Sequence, residues 1–302
     1  MSYSSDLKSE LSKIRPSGCC GYAEIFGMLI FGRSFTNDEI TFSTENKDVA
    51  ELLSGLILKC FDASTALYES GRTKIRYKIS VKSRTARQRI INYYTSKDKT
   101  YLPEITKKEC CSSAFLRGCF LSCGIMYDPT SRYCIEFSVN NGETGELFFD
   151  ILKDLKFNPK ISQRGGKTVV YFRDAPSIED FLTRIKAPQY TLEFMEVEVY
   201  KDMRVNINRK NNCETANISK TVNAAVSQID AIEFLKAHGV LETLSPELVC
   251  AAKLRAENPD MSLSELTAIS DGEITRSGLN HRLQKIVSIA EKFKNEQQHS
   301  KA

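Results

Sequence analysis

Hydrophobic and polar positions alternate strictly along the segment KIRYKISVK. Its apolar members are Ile75, Tyr77, Ile79 and Val81, and its basic members are Lys74, Arg76, Lys78 and Lys82. A period of two with β-branched residues predicts a half-buried strand with a cationic solvent face. Two interpretations of that face are open. It is either an edge strand blunted by lysines or a sheet surface that contacts phosphates.

The chain also contains an internal repeat, in which CCGYAEIFGMLIFGRSF from Cys19 aligns without gaps with CCSSAFLRGCFLSCGIM from Cys110. The pattern after each copy predicts two strands, a helix, two strands and a closing helix. In the second half, Gly165-Gly166 supplies the tight turn of a hairpin. The two halves, at about 19–95 and 110–187, therefore predict an α+β domain of pseudo-twofold αββαββα architecture over residues 1–190.

The two opening helices of the repeat carry glycines in register, at Gly27 and Gly118. Small residues allow two helix backbones to approach closely. We therefore expect these helices to form a central seam that joins the two halves.

The hydrophobic pattern changes after Lys186. A connecting linker is predicted at 191–212, where Glu193 to Lys210 forms either a connecting helix or an extended arm. A helical domain is predicted at 213–295, followed by a tail at 296–302. Asn217 or Ser219 is the expected cap of a helix whose apolar positions recur at helical spacing. Those positions are Val222, Val226, Ile229 and Ile232.

A helix-turn-helix is predicted at about 262–294. Ser262 or Ser264 starts a short helix with Leu263, Leu266 and Ile269 inward, Asp271-Gly272 makes the turn, and Thr275 caps a longer helix. The buried stripe of that helix is expected at Leu279, Leu283, Ile286 and Ala290. The expected DNA-binding residues are Thr275, Arg276, Ser277, Asn280, His281, Arg282, Gln284 and Lys285. The second helix of such a motif enters the major groove, where arginine, asparagine and glutamine are the side chains that make bidentate contacts with bases.

The composition gives the size, the net charge and the cysteine content of the chain. The chain has 302 residues, is 41% hydrophobic and carries a net charge of +4. No apolar run approaches the ~18 residues that a membrane span needs, and the N-terminus lacks the apolar core of a signal peptide. The ten cysteines are therefore expected to be reduced thiols of a cytoplasmic protein.

Catalytic and metal chemistry have little support from the residue pattern. No C-x-x-C occurs, and the histidines (His238, His281 and His299) lie far along the chain. Cys119 and Cys123 lie one helical turn apart, but small buried thiols explain them better than zinc does. We therefore expect no metal, no cofactor and no catalytic residue.

The seam segments resemble the LAGLIDADG homing-endonuclease motif. Leu116 to Gly124 keeps the first leucine and both glycines of that motif, and Ile25 to Arg33 matches it more loosely. In those enzymes an acid near the end of each motif holds a divalent metal over the scissile phosphate. Gly32 and Cys123 stand at those places here, and neither side chain offers a hard oxygen ligand.

The whole chain resembles WhiA-type bacterial regulators, which join a degenerate LAGLIDADG domain to a C-terminal helix-turn-helix. The resemblance rests on CC-x-x-AE from Cys19, AFLRGCFL from Ala114, NCETANISKTVNAA from Asn212 and SGLNHRL from Ser277. It implies a transcription regulator of cell division, chromosome segregation and sporulation. The implied partners are double-stranded DNA and a sigma factor or companion regulator. A nucleoid-associated monomer that does not contact a membrane is expected.

Two function classes stay open. The first is a non-enzymatic DNA-binding regulator. The second is a nuclease that retains metal-dependent activity through acids elsewhere, such as Glu24 or Asp38. Loss of both motif acids favours the regulator.

Overall fold

The computed structural model describes residues 2–16, 18–95, 105, 107–270 and 274–299. These residues form two compact units, Met1–Asp202 and Met203–Ala302. Each unit has its own hydrophobic core.

The first unit begins with helix α1 (Tyr3–Leu11) and then repeats one order of elements twice. The first half consists of α2 (Cys19–Ile30), β1 (Ser34–Phe35), β2 (Ile40–Thr44), α3 (Lys47–Phe61), β3 (Ala66–Ser70), β4 (Arg76–Ser80) and α4 (Arg84–Thr95). The second half consists of α5 (Glu109–Cys123), β5 (Gly124–Met126), β6 (Ile135–Val139), α6 (Gly142–Asp154), β7 (Lys160–Arg164), β8 (Lys167–Phe172) and α7 (Ala175–Arg184). The predicted α+β repeat is therefore confirmed.

Each half contains one four-stranded antiparallel sheet, and the two sheets share the same topology. The strand orders are β1-β2-β4-β3 and β5-β6-β8-β7. Side-chain caps fix where three of the helices begin. Asn46, Asn141 and Asp174 each accept a hydrogen bond from a backbone N–H in the first turn of the following helix. Gly165 and Gly166 both have positive φ, as the tight turn between β7 and β8 requires.

Helices α2 and α5 pack against each other through the two expected glycines. A Cβ atom at Gly27 would lie 2.3 Å from the carbonyl oxygen of Phe115. A Cβ atom at Gly118 would lie 2.3 Å from the carbonyl oxygen of Glu24. The contact is therefore backbone to backbone, and it forms the predicted seam between the two halves.

The second unit consists of helices around a smaller core. Its elements are the C-terminal part of α8 (Pro188–Ala237), a 3₁₀ turn (Leu241–Thr243), α9 (Pro246–Glu257), α10 (Leu263–Ile269) and α11 (Arg276–His299). The core residues are Ala231, Ile232, Leu235, Leu241, Leu248, Ala251, Ala252, Leu266, Leu279, Leu283, Ile286 and Ala290.

Helix α8 corrects one prediction. No helix starts at Asn217 or Ser219, because α8 runs unbroken through both positions. Val222 and Val226 are 53% and 51% exposed, whereas Ala225 and Gln228 are buried. The boundary between the compact units falls within this helix, so the linker at 191–212 and the other domain limits stay predictions.

None of the described helices combines the length and the apolar character that crossing a membrane requires.

Candidate nucleic-acid interface

Helix α11 begins where the sequence predicts, and its first turn is capped by Thr275. The Thr275 hydroxyl accepts a hydrogen bond from the Gly278 N–H at 3.1 Å. The predicted stripe of Leu279, Leu283, Ile286 and Ala290 is almost completely buried. This stripe fixes the rotation of α11 about its axis and so determines which side chains face outward.

Most of the side chains predicted to bind DNA lie on the outward face of α11 or at its cap. Exposed residues are Thr275, Arg276, Ser277, His281, Gln284 and Lys285, and Asn280 is half-buried beside them. Arg282 differs from the rest, because its guanidinium lies 3.4 Å from the carboxylate of Glu247 on α9. That contact holds Arg282 against its own domain.

Helix α10, which precedes α11, begins with a capping box formed by Ser262 and Glu265. Ser262 accepts a hydrogen bond from the Glu265 N–H, and the Glu265 carboxylate accepts one from the Ser262 N–H. Leu266 is fully buried as predicted. Ile269, however, is 50% exposed, so its predicted inward position is wrong. The predicted turn at Asp271-Gly272 lies outside the described residues.

A buried arginine joins three parts of the second unit, and sequence patterns gave no sign of it. Arg255 is 2% exposed and donates a hydrogen bond to Gln228 Oε1 on α8 at 3.0 Å. It also donates to the carbonyl oxygen of Met261 at 2.6 Å, just before α10. Burial lowers the pKa of Arg255. These bonds position the chain that leads into the helix-turn-helix.

The basic strand of the first unit is β4. Tyr77, Ile79 and Val81 are buried as predicted, but Ile75 precedes the strand and is 47% exposed. β4 pairs with β2 on one side and β3 on the other, so the edge-strand interpretation is wrong.

Two of the β4 cations have acidic neighbours. The Arg76 guanidinium lies 3.5 Å from the carboxylate of Glu45, and the Lys78 ammonium lies 3.7 Å from that of Glu39. Lys82 lies over the ring of Tyr68, at 5.3 Å. All three contacts are at or near the surface, so the cations keep access to solvent.

The C-terminal ends of α2 and α5 carry no acid at the two motif positions. A Cβ atom at Gly32 would lie 3.0 Å from the carbonyl oxygen of Leu29 and 3.1 Å from that of Thr41, so a larger side chain is crowded there. Cys123 is the last residue of α5 and is half-buried. Burial raises the pKa of Cys123 to about 12, and the nearby ammonium of Lys8 opposes that rise. A positive charge therefore lies near the position where a nuclease would hold a metal ion.

Glu24, the acid considered for residual nuclease activity, is fully buried in an ion pair. Arg117 Nε and Nη2 donate hydrogen bonds to the two oxygens of its carboxylate, at 2.9 and 2.6 Å. Burial raises the pKa of Glu24, and the Arg117 guanidinium opposes that rise. Asp38 is exposed and lies in the turn between β1 and β2. Glu24 is a structural acid of the seam.

Four cysteines of the repeat come together at the N-terminal ends of α2 and α5. The sulfur atoms of Cys19, Cys20, Cys110 and Cys111 all lie within 4.8 Å of one another. The pKa of Cys19 is lowered, first because it accepts a hydrogen bond from the Cys111 thiol. Burial raises the pKa of Cys20 to about 11 and that of Cys111 to about 12. The repeat brings the two cysteine pairs to one place, and their positions in the sequence, about ninety residues apart, do not show this.

These elements define a class of protein, in which a LAGLIDADG-like α+β domain is joined to a helical helix-turn-helix domain. Residues 112–204 match the model of the WhiA LAGLIDADG-like domain, and residues 207–290 match that of the WhiA C-terminal HTH domain. The chain is 33% identical to "Probable cell division protein WhiA" of Ruminiclostridium cellulolyticum, over 99% of this chain and 100% of that protein. The chain belongs to the WhiA family.

Further relatives agree with this assignment. The Bacillus subtilis protein of the same name is 31% identical, over 97% of this chain and 98% of the relative. The crystal structure of full-length DUF199/WhiA from Thermatoga maritima covers 97% of this chain and 99% of its own, with a TM-score of 0.61 and 24% identity. Its similarity supports the fold.

Proposed function

We propose that this protein is a non-enzymatic regulator of transcription that binds double-stranded DNA, with α11 as the recognition helix in the major groove. The observation that carries the proposal is the orientation of α11. Its buried leucine stripe leaves Arg276 and Gln284 exposed and Asn280 half-buried beside them, in the N-terminal half of the helix. Arginine, asparagine and glutamine are the side chains that make bidentate contacts with guanine and adenine.

The biological role that we propose is control of genes for cell division, and with it chromosome segregation and sporulation. The name of the curated relatives and the resemblance of the whole chain to WhiA-type regulators support this role. A cytoplasmic monomer on the nucleoid fits it. A sigma factor or companion regulator is the proposed protein partner.

The absence of enzyme activity is proposed from the ends of α2 and α5. Metal-assisted phosphodiester cleavage needs an ion held by hard oxygen ligands. Gly32 and Cys123 supply none, the Lys8 ammonium lies close to Cys123, and Glu24 is bound to Arg117.

The recognition helix is tested by substitution in the full-length protein. Binding sites are first selected from genomic fragments with the wild type, and one such duplex is compared with a scrambled duplex by fluorescence anisotropy. Arg276→Ala and Asn280→Ala are expected to cost about 1–3 kcal/mol on the selected duplex and little on the scrambled one. Lys285→Ala should weaken binding to both duplexes and reduce the salt slope by about one, because it removes a phosphate contact.

Ser288→Ala is the matched control, because Ser288 is exposed on the same helix but outside the predicted set. It should bind like the wild type. If Arg276→Ala and Asn280→Ala also bind both duplexes like the wild type, α11 is not the recognition helix.

The absence of nuclease activity is tested by incubating the protein with supercoiled plasmid and magnesium or manganese. No nicking above the buffer background is expected, because the two motif positions cannot hold the ion. Magnesium-dependent nicking that disappears in an Asp38→Asn variant would instead support the nuclease function.

A further inference from the structure

The four cysteines at the N-terminal ends of α2 and α5 form a compact set of thiols. Cys19 and Cys20 are the first two residues of α2, and Cys110 and Cys111 are the second and third residues of α5. Cys110 Sγ and Cys111 Sγ are 3.9 Å apart, and Cys20 Sγ lies 3.4 Å from the carbonyl oxygen of Cys110. Chain segments about ninety positions apart therefore contribute to one site.

The architecture of the repeat explains why the thiols meet. The two cysteine pairs occupy equivalent places in the two halves, and the contacts of Gly27 and Gly118 hold the two helices side by side. The cluster is therefore a consequence of the same seam that joins the two halves of the fold.

The sulfur positions fit a single tetrahedral metal ion. Zinc binds thiolates at about 2.3 Å, which places the four sulfur atoms of a Cys₄ site about 3.8 Å apart. The sulfur atoms here all lie within 4.8 Å of one another, which exceeds that spacing by about 1 Å at most. An iron–sulfur cluster would need its ligands further apart, because several iron and sulfide atoms lie between them.

The surroundings also favour thiolates. The N-termini of two helices meet at the site, and each provides partial positive charge from backbone N–H groups without intrahelical partners. The Lys108 ammonium adds a positive charge near Cys19. These charges partly offset the net negative charge of four thiolates around one divalent ion.

We propose that Cys19, Cys20, Cys110 and Cys111 bind one structural zinc ion, which fastens the two halves of the first unit together. The site lies at the opposite end of the helix pair from Gly32 and Cys123. Helices of 12 and 15 residues place it roughly 18–22 Å from those positions along the helix axes. It is therefore separate from the degenerate catalytic centre of the fold.

The proposal is tested by metal content and by cobalt substitution of the full-length protein. Protein purified under reducing conditions should contain about one equivalent of zinc, and cobalt(II) should give the intense visible spectrum of a tetrahedral thiolate site. Cys20→Ser and Cys111→Ser should each lose the zinc and the cobalt spectrum. Cys213→Ser and Cys250→Ser are the matched controls, because both cysteines are exposed in the second unit, and they should retain the metal.

Thiol reactivity gives a second measurement that does not depend on the stability of a variant. Cys19, Cys110, Cys213 and Cys250 are the exposed cysteines. In the wild type with metal, only Cys213 and Cys250 should react rapidly with a thiol reagent, and removal of the metal by a chelator should expose Cys19 and Cys110.

Three outcomes would overturn the proposal. The first is fewer than about 0.2 equivalents of zinc together with no cobalt spectrum. The second is iron with labile sulfide in place of zinc. The third is rapid modification of Cys19 and Cys110 in metal-loaded protein, including the case in which these cysteines form a disulfide and no metal is present.

Discussion

At the scale of single residues, the Glu24–Arg117 pair shows how the seam uses charge. Both side chains are buried, at 0% and 3% exposure, and their two short hydrogen bonds satisfy the carboxylate. Removal of one partner from such a pair leaves an uncompensated buried charge, which typically costs about 3–5 kcal/mol. An acid held in this way is not available to bind a catalytic metal.

Lys8 is a second residue whose charge affects stability. It is half-buried on α1, and its ammonium lies 5.7 Å from the centre of the Phe120 ring. Burial lowers the pKa of Lys8 from 10.5 to about 8, and Cys123 and Glu45 oppose that change. The charged form of Lys8 is therefore less stable in the folded protein than in the unfolded chain.

Lys8→Met is expected to raise the free energy of unfolding at pH 7 by about 1 kcal/mol, a value reduced for the partial exposure of the side chain. Below pH 8 Lys8 is protonated in both the folded and the unfolded wild type, so the full cost of burying its charge lowers the free energy of unfolding. Between pH 8 and 10.5 the folded state releases the proton first, so wild-type stability rises toward that of the variant.

Urea unfolding at several pH values measures this difference. Lys13→Met is the control, because Lys13 is exposed just beyond the same helix. A constant difference between Lys8→Met and the wild type from pH 7 to pH 10 would contradict the assigned pKa shift.

At the scale of secondary-structure elements, the seam between α2 and α5 determines the fold of the first unit. Gly27 and Gly118 bring each helix against the backbone of the other. Aromatic residues then pack around the contact, and the rings of Phe26 and Phe115 stack with centroids 6.0 Å apart. The glycines therefore set the distance between the two halves.

Gly27→Ala is expected to destabilise the protein by about 1–3 kcal/mol or more, because its Cβ atom would overlap the Phe115 carbonyl and no flexible side chain can move away. Gly55→Ala is the matched control. Gly55 lies on the exposed face of α3 with nothing within 4 Å of a Cβ atom, so alanine should stabilise by about 0.5–1 kcal/mol. Thermal and urea unfolding measure both changes, and equal effects of the two substitutions would contradict the close approach.

Much of this fold could be predicted from the sequence, because strands and helices carry distinct periodicities and the repeat gave each element twice. The start of α8 could not, since helical spacing around Val222 gives the period of a helix but not its first residue. No glycine or proline occurs between Pro188 and Gly239, so nothing ends the helix earlier. Ile269 was misplaced because α10 is a single short helix: Leu266 is its one fully buried residue, and Leu263 packs against the core at its first position.

Part of the candidate site could also be predicted from periodicity, and part of it could not. The leucine stripe of α11 is periodic, so the exposed face could be deduced from the sequence. Arg117, Glu24 and Arg255 are isolated polar residues whose burial depends on tertiary partners, and periodicity does not report such partners. Prediction of the cysteine cluster requires both the repeat and the direction in which α2 and α5 pack against each other.

At the scale of the whole molecule, the proposed DNA binding has two candidate cationic surfaces. The first unit presents Lys74, Arg76, Lys78 and Lys82 on and beside β4, and the second presents the face of α11. Lysine and arginine on a sheet suit phosphates, which carry no sequence information directly, whereas the side chains at the start of α11 suit base edges. The two surfaces should therefore affect different properties of binding.

A double substitution of Lys74 and Arg76 by glutamine in the full-length protein is expected to weaken binding to selected and scrambled duplexes equally. The slope of log K against log salt should fall by about one to two, since at most two phosphate contacts are lost. Combined with Asn280→Ala, its cost should add, because phosphate and base contacts are separate interactions.

The paired control for this experiment replaces Lys47 and Lys59 by glutamine, which removes the same net charge from two exposed positions of α3. Anisotropy titrations over a range of salt concentrations should show little change in slope for that control. If the Lys74 and Arg76 substitutions abolish binding to the selected duplex and leave the scrambled one unaffected, sequence recognition belongs to the first unit. A surface that contacts only phosphates cannot distinguish the two duplexes, so such a result would mean that the surface around β4 reads the base sequence. The role proposed for α11 would then be wrong.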